Sequence, residues 1–320
     1  MSGERELLQR LIDGPATGDA LARDTGLTRA AMWKRIEALR AGGVRIDAQA
    51  GRGYALADAV ELLDAHLIRA RMQDAAALSS LDVAWALDST NSELLRRPAP
   101  ERGVEVLLAE QQTGGRGRRG RQWASPIASN LYLSLSRQFS GGLARLAGLS
   151  LVVGVAVAEA LRQAGYAAVG VKWPNDLLAH DRKLGGILVE GGGEHGGPVR
   201  AVIGMGVNVR MPAPVGATID QAWTDLASLA EGAPSRNTLA ARLLDALLPA
   251  LDQFDRDGLS PFRARYAALD ALAGRAVTVH GSQGDEQGVA DGIGDDGALR
   301  VRMGEAVKYV HAGEVSVRAI

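Results

Sequence analysis

No cysteine occurs among the 320 residues of the chain. That excludes disulfide frameworks, thiolate metal sites and cysteine nucleophiles, and it suits a reducing cytosol, so we expect a cytoplasmic protein. Excess charge is missing too: 36 Lys and Arg against 37 Asp and Glu leave a formal net charge of -1. No global basic field holds such a molecule on nucleic acid, so any DNA contact must come from a local patch. Long hydrophobic runs are also absent. The most apolar stretch, Leu146 to Ala158, ends directly at Glu159. It falls short of the roughly 20 residues a bilayer requires, and we read it as a buried core helix with no membrane attachment. The start, MSGERELLQR, is charged and helical rather than a secretion signal. His66, His180, His195, His280 and His311 lie far apart without ligand spacing, which leaves a metal-hydrolase site unsupported. No G-x-S-x-G elbow or P-loop is present, and no repeat suggests a solenoid.

What is present divides into three parts, with expected limits of 1–63, 64–270 and 271–320. The length suits two or three domains, and 47% apolar residues suffice for their cores. In the first part, Leu7 with Leu11 and Leu8 with Ile12 mark a helix that Gly14-Pro15 stops. Thr17 and Thr28 are placed to cap two further helices, the second carrying Met32, Ile36 and Leu39 on one stripe. Val44, Ile46 and Tyr54-Ala55-Leu56 flank Gly51-Arg52-Gly53 as two strands and a turn. Helix, turn, helix and hairpin in this order describe a winged helix-turn-helix. Its third helix would enter the major groove with Arg29, Ala30 and Lys34, and Arg52 would reach a phosphate or the minor groove. The blander reading is a helical interaction module with a solvated basic flank.

The middle mixes strand-like runs at 105–111, 130–136, 169–173, 185–190 and 201–209 with helical segments around 146–164 and 237–257. Residues 211–218 show no regular pattern and form a candidate mobile loop. From about 272, valine-rich runs separated by glycine and aspartate predict a small barrel of about five strands.

The run Gly114-Gly115-Arg116-Gly117-Arg118-Arg119-Gly120-Arg121 is the most informative. Four arginines in six residues repel one another unless an anion sits among them, and the glycines let backbone N–H groups approach a ligand. Arginine also offsets the negative charge that builds on phosphorus during nucleotidyl transfer. An RNA-binding RGG-like segment is the alternative; its position between two strand-like runs argues for a loop ordered on binding. In KWPNDL (172–177), Pro174-Asn175-Asp176 reads equally as a turn or as a site where Lys172 faces an anion and Asp176 holds magnesium. Lys183 stands at a strand edge before a glycine pair, where a lone lysine is usually a surface residue. Ser89, Thr90 and Asn91 offer small polar groups to a polar ring, though alone they look like a helix cap.

Taken in order, DSTN (88–91), AEQQTGGRGRRGRQW (109–123), NLYLSL (130–135), VKWPNDL (171–177), KLGGILVE (183–190) and GMGVNV (204–209) resemble the biotin–protein ligases. TRAAMWKRIEALR (28–40) and GRGY (51–54) look like the bifunctional branch, which is both biotin operon repressor and ligase. The resemblance runs from about residue 5 to 318 and thins at 211–223, which shares mainly position and Trp223 with an adenylate-covering loop. It implies an α+β multidomain fold: winged helix-turn-helix, central α/β ligase domain with a mixed sheet, and C-terminal SH3-like β-barrel. It implies that Ser89, Thr90, Asn91 and Gln112 hold biotin, with Arg116, Gly117, Arg118 and Lys183. Gly115, Arg118, Trp123, Lys172 and Asn208 would meet the nucleotide, and Lys183, Arg116 and Arg118 would serve catalysis. The substrates implied are biotin and ATP with Mg²⁺, and the acceptor is a lysine of a biotin carboxyl carrier protein. Operator DNA and a homodimer formed when adenylate is bound complete the expected partners. Two rival readings are a related lipoate or octanoate transferase and a biotin-binding DNA sensor without catalysis.

Overall fold

The computed structural model describes all residues except 1–2, 50, 194–197, 282–283, 313–315 and 320. His195 therefore lies outside the described residues, as does part of the closing run GEVSVR (313–318).

The chain begins with α1 (Gly3–Ile12), α2 (Gly18–Thr25) and α3 (Arg29–Ala41), then the hairpin β1 (Ile46–Gln49) and β2 (Gly53–Leu56). Thr17 and Thr28 cap α2 and α3 as their sequence positions suggest, each hydroxyl accepting an N–H at 3.2 Å. Leu7, Leu8, Leu11, Leu21, Met32, Ile36 and Leu39 form the core of this unit. This is the winged helix-turn-helix arrangement.

Next come α4 (Ala65–Arg71), β3 (Leu78–Leu87), α5 (Thr90–Arg96), β4 (Val104–Gln112), β5 (Leu131–Phe139) and α6 (Leu149–Gln163). They are followed by β6 (Val169–Lys172), β7 (Asp176–Ala179), β8 (Arg182–Gly193) and β9 (Val199–Val207). The seven strands make one sheet in the order β3-β4-β5-β9-β8-β7-β6. It is mixed, since β3 and β4 run parallel while every other pair is antiparallel. Helix α6, the apolar stretch of the sequence, packs against the sheet with most of its residues buried. A helix long and apolar enough to cross a membrane does occur among the described residues, over Leu143–Gln163, but it is this core element.

The remaining helices are α7 (Ala213–Gly216), α8 (Leu226–Leu229), α9 (Arg236–Asp257) and α10 (Arg263–Ala267). Helix α7 departs from the patternless loop expected at 211–218: Pro212 opens a helical turn that Trp223 closes by donating Nε1–H to Gly216 O at 2.9 Å. The chain ends in β10 (Ala276–Gly281), β11 (Gly284–Ile293), β12 (Leu299–Met303), β13 (Ala306–Val310) and β14 (Ser316–Ala319). These form an antiparallel sheet ordered β13-β12-β11-β10-β14. Its inward valines join the same hydrophobic core as the central sheet, α6 and α9. Trp173, fully buried, ties the two together by donating to Gly297 O at 3.0 Å.

Several contacts fasten the N-terminal unit to the rest, among them a hydrogen bond from Trp85 Nε1 to Glu4 at 3.3 Å. The linker at 61–64 is clamped by a buried ion pair, Arg236 with Glu110 at 2.8 Å, side chains 4% and 1% exposed. Glu110 also accepts the Leu63 N–H at 2.5 Å, and Arg236 donates to the carbonyls of Asn130 and Glu61. At the far end of α3, Gly42 O accepts the Ile127 N–H at 2.7 Å. A Cβ on Gly43 would stand 2.9 Å from Pro126 and 3.4 Å from Pro212, so only glycine admits that approach.

Candidate functional site

Strand alternation gives the central sheet two unlike faces. Ile187 on β8 approaches α6, whereas Gly186, Leu188 and Glu190 point the other way. On the neighbouring β9, Gly206 pairs with Gly186 and Gly204 with Leu188, so this second face is floored by glycine. The Trp123 indole lies on that floor. A Cβ at Gly206 would come within 2.4 Å of it, and one at Gly186 within 3.2 Å. Its Nε1–H is buried without a hydrogen-bond partner.

The arginine run closes over this face as a tight hairpin. Gly117 N–H donates to Arg121 O at 2.7 Å, Trp123 N–H to Gly115 O at 2.9 Å, and Gly114 N–H to Asp88 O at 2.8 Å. Gly115 is needed because a Cβ there would lie 2.8 Å from Trp123 O and 3.0 Å from Gln112 Nε2. Arg116 Nη2 donates to Ser92 Oγ at 3.0 Å and to Glu190 at 3.2 Å. Arg118 is half-buried, donates to Asn175 Oδ1 at 3.3 Å, and reaches the Ala312 carbonyl of the C-terminal unit. Burial pulls its guanidinium pKa down, partly offset by the Asp176 carboxylate.

Lys183 opens the strand beneath the hairpin. Its ammonium is 2.8 Å from Asp176 Oδ1 and 5.6 Å from the centre of the Trp123 ring. Lys172 stands opposite Asp176 in the β6–β7 register. The backbone of Lys183 is held by residues just past α7, its N–H donating to Ala222 O and its carbonyl accepting from Thr224 N, both at 2.9 Å. Asn208 is buried alongside; its Nδ2 donates to Thr224 O at 3.0 Å, while Oδ1 has no partner.

Ser89 caps α5, with Ser92 N–H donating to its hydroxyl at 3.4 Å. Gln112 Oε1 accepts from the Thr90 N–H at 2.9 Å and its hydroxyl at 3.1 Å. Ser134, from β5, donates to Asn91 Oδ1 at 2.6 Å, and its oxygen lies 2.7 Å from Thr90 Oγ1. The structure thus gathers Ser89, Thr90, Asn91, Gln112, Gly115, Arg116, Gly117, Arg118, Trp123, Lys172, Asp176, Lys183 and Asn208 around one glycine-floored face. Sequence reasoning passed over Ser134, Glu190, Gly204 and Gly206. The alternation in NLYLSLS did carry a signal, for it sets Tyr132, Ser134 and Ser136 opposite the core leucines. Among the described residues no group of three acidic or histidine side chains could enclose a metal, and Asp176 is the carboxylate of this cluster nearest Lys183.

Arg29, Ala30, Lys34 and Arg52 lie elsewhere, exposed on α3 and on the β1–β2 turn. Arg29 pairs loosely with Asp19 at 3.7 Å. Trp33, 54% exposed, stands on the same outer side of α3 and was also passed over.

Sequence profiles match in three places: an HTH domain over 4–55, the biotin/lipoate A/B protein ligase family over 86–208, and the biotin protein ligase C terminal domain over 273–318. Among curated proteins the chain is similar to the bifunctional ligase/repressor BirA of Salmonella typhimurium, 40% identical over 98% of this chain and 97% of that one. The Escherichia coli protein of the same description is 39% identical over 95% and 93%. Among solved structures, the biotin protein ligase of Aquifex aeolicus in complex with biotin and ATP superposes with a TM-score of 0.65 at 25% identity, covering 76% of this chain and 100% of that one. Near-complete coverage by relatives of 40% and 39% identity leaves one conclusion: the chain belongs to the BirA family of bifunctional ligase/repressors.

Proposed function

We propose that the chain joins biotin to ATP and passes the activated biotin to a lysine of a biotin carboxyl carrier protein, and that it represses transcription through its winged helix. The single observation carrying the catalytic reading is Lys183, whose ammonium lies 2.8 Å from Asp176 and 5.6 Å from the Trp123 ring on the glycine-floored face that the arginine hairpin borders. Biotin would lie on this face with Ser89, Thr90, Asn91 and Gln112 at the ring and with Asn208 and Trp123 toward adenine, and because the indole now covers Gly186 and Gly206 it would shift as the ligand enters. Three units, divided near 63 and 270, would then share the work.

In the first step the biotin carboxylate attacks the α-phosphorus of ATP and pyrophosphate leaves. Lys183 bridges the carboxylate and phosphate oxygens, and Arg116 and Arg118 offset the charge that develops on phosphorus. In the second, the neutral ε-amine of the acceptor lysine attacks the mixed anhydride carbonyl and AMP leaves. Neither step calls on a protein nucleophile. Asp176 fits a magnesium ion brought by the nucleotide, since such ions are commonly held by one carboxylate and the phosphates; it would neutralise triphosphate charge. The hairpin that covers the adenylate would also complete a dimer surface, pairing two winged helices on a palindromic operator.

Native mass spectrometry after incubation with biotin, ATP and Mg²⁺ tests the first step. The expected result is a retained mass of biotinyl-AMP that is absent with lipoate. Biotin bound without adenylation would replace this reading with that of a sensor.

A further inference from the structure

The Asn91 amide lies against Gly204 on the glycine-floored face, where it is held by the fold. Its Oδ1 accepts from Ser134 at 2.6 Å, while Nδ2 donates to Leu188 O at 3.2 Å and to Glu190 Oε2 at 2.8 Å. The amide is therefore committed to the fold on both ends. The same Glu190 carboxylate receives Arg116 Nη2, at 3.2 Å to one oxygen and 3.4 Å to the other. Glu190 lies on the glycine-floored face of β8, in line with Gly186 and Leu188, so it stands where the glycine floor ends and α5 begins.

We propose that Glu190 is a positioning residue for adenylation, one carboxylate that holds the arginine hairpin through Arg116 and the ring-binding end of α5 through Asn91. This rests on the biotin-ligase reading. Arg116 gives the same amino group, Nη2, to Glu190 and to Ser92. Those contacts use Nη2, so Nε–H and Nη1 remain as separate donors, each able to meet an anionic oxygen singly. A guanidinium ordered before substrate arrives lowers the ordering cost of the binding step. The Arg116–Glu190 pair is partly solvated, 45% and 29% exposed, so taken alone it would be weak. Its effect comes from joining two substrate-facing elements through a single group.

The test is a cycle of E190Q, R116A and the double variant, read by biotin-dependent ATP–pyrophosphate exchange. Glutamine keeps an acceptor for Asn91 and removes the charge that Arg116 meets, without changing side-chain length. E190Q should raise KM for biotin about fivefold with kcat nearly unchanged, and should have no further effect when R116A is already present. Additive effects of the two substitutions, or an unaltered KM, would overturn the proposal. Trypsin cleavage at Arg116 to Arg121 without substrate gives a readout independent of catalysis. Faster cleavage in E190Q supports the tether, and equal rates reject it. Were the unsubstituted protein to catalyse no exchange, the ligase reading would fall, and the cleavage rates would still decide the tether.

Discussion

At the residue scale the site depends as much on absent side chains as on present ones. Gly206→Ala would place a methyl 2.4 Å from the Trp123 indole and force it off the floor. We expect adenylation to fall at least about tenfold while the melting temperature moves only a few degrees, since overpacking typically costs about 1–3 kcal/mol. Lys183→Ala removes a cation that lies close to both Asp176 and the indole. Exchange should drop by about 10²–10³-fold, the usual effect of losing one electrostatic stabiliser. Arg118→Gly cuts the link from the hairpin to Asn175 and Ala312, and activated biotin should escape, measurable as biotin on bystander proteins. The arginine run is conspicuous in the sequence, whereas Lys183 stands out only through the order of motifs that resembles the biotin–protein ligases. Ser134, Glu190 and Gly206 do not stand out, because which strand face they share is decided by register with strands far away in the chain.

At the element scale, helices and strands followed closely from caps and periodicity, α2 and α3 from Thr17 and Thr28 and β5 from its alternating leucines. What stayed hidden was how elements are fastened. Nothing in the sequence marks Glu110, within a strand of apolar residues, as the partner of Arg236, because 126 residues separate them. Glu110→Ala would leave Arg236 buried without its carboxylate and the Leu63 N–H unpaired. Calorimetry should register a loss of about 3–5 kcal/mol, the range for breaking a buried pair from one side. Asp270, partly buried, is an acid whose surroundings shift its titration. Asp270 joins α10 to β6, and burial raises its carboxyl pKa above the ordinary 3.8, against hydrogen bonds from Leu272 N–H and the Tyr266 hydroxyl that lower it. The folded protein thus holds this proton more tightly than the unfolded chain. That contribution to stability is complete below the unfolded value and is lost as pH rises through the folded one. Asp270→Asn should flatten that part of the melting temperature–pH curve, and an unchanged curve would contradict the assignment.

For the molecule as a whole, three units were apparent from composition and motif order, but their mutual fit was not. Ile127 and Ala128, which follow the arginine hairpin in sequence, sit in the core of the winged helix rather than in that of the central sheet. Gly43 meets Pro126 after the hairpin and, through Pro212, the turn before α7. The end of α3 therefore touches the chain that follows the arginine hairpin and the chain that enters α7, the two segments that would frame the nucleotide on the proposed reading. Ile127→Ala should weaken that joint by about 2–4 kcal/mol. Its telling effect is expected in binding: operator affinity should respond less to biotin and ATP, as gel-shift titrations with and without both substrates would reveal. Equal responses in the two proteins would mean that the domains communicate by another route.

The indole on the glycine floor has an optical consequence. Of the chain's 5 tryptophans, Trp173 is sealed in the core and Trp33 stands in solvent, while Trp123 alone lies on the glycine-floored face with a buried, unbonded N–H. On the proposed reading a ligand reaching that face would alter what surrounds the ring, so the protein would carry its own fluorophore for substrate arrival, and stopped-flow emission would time each ligand without a label.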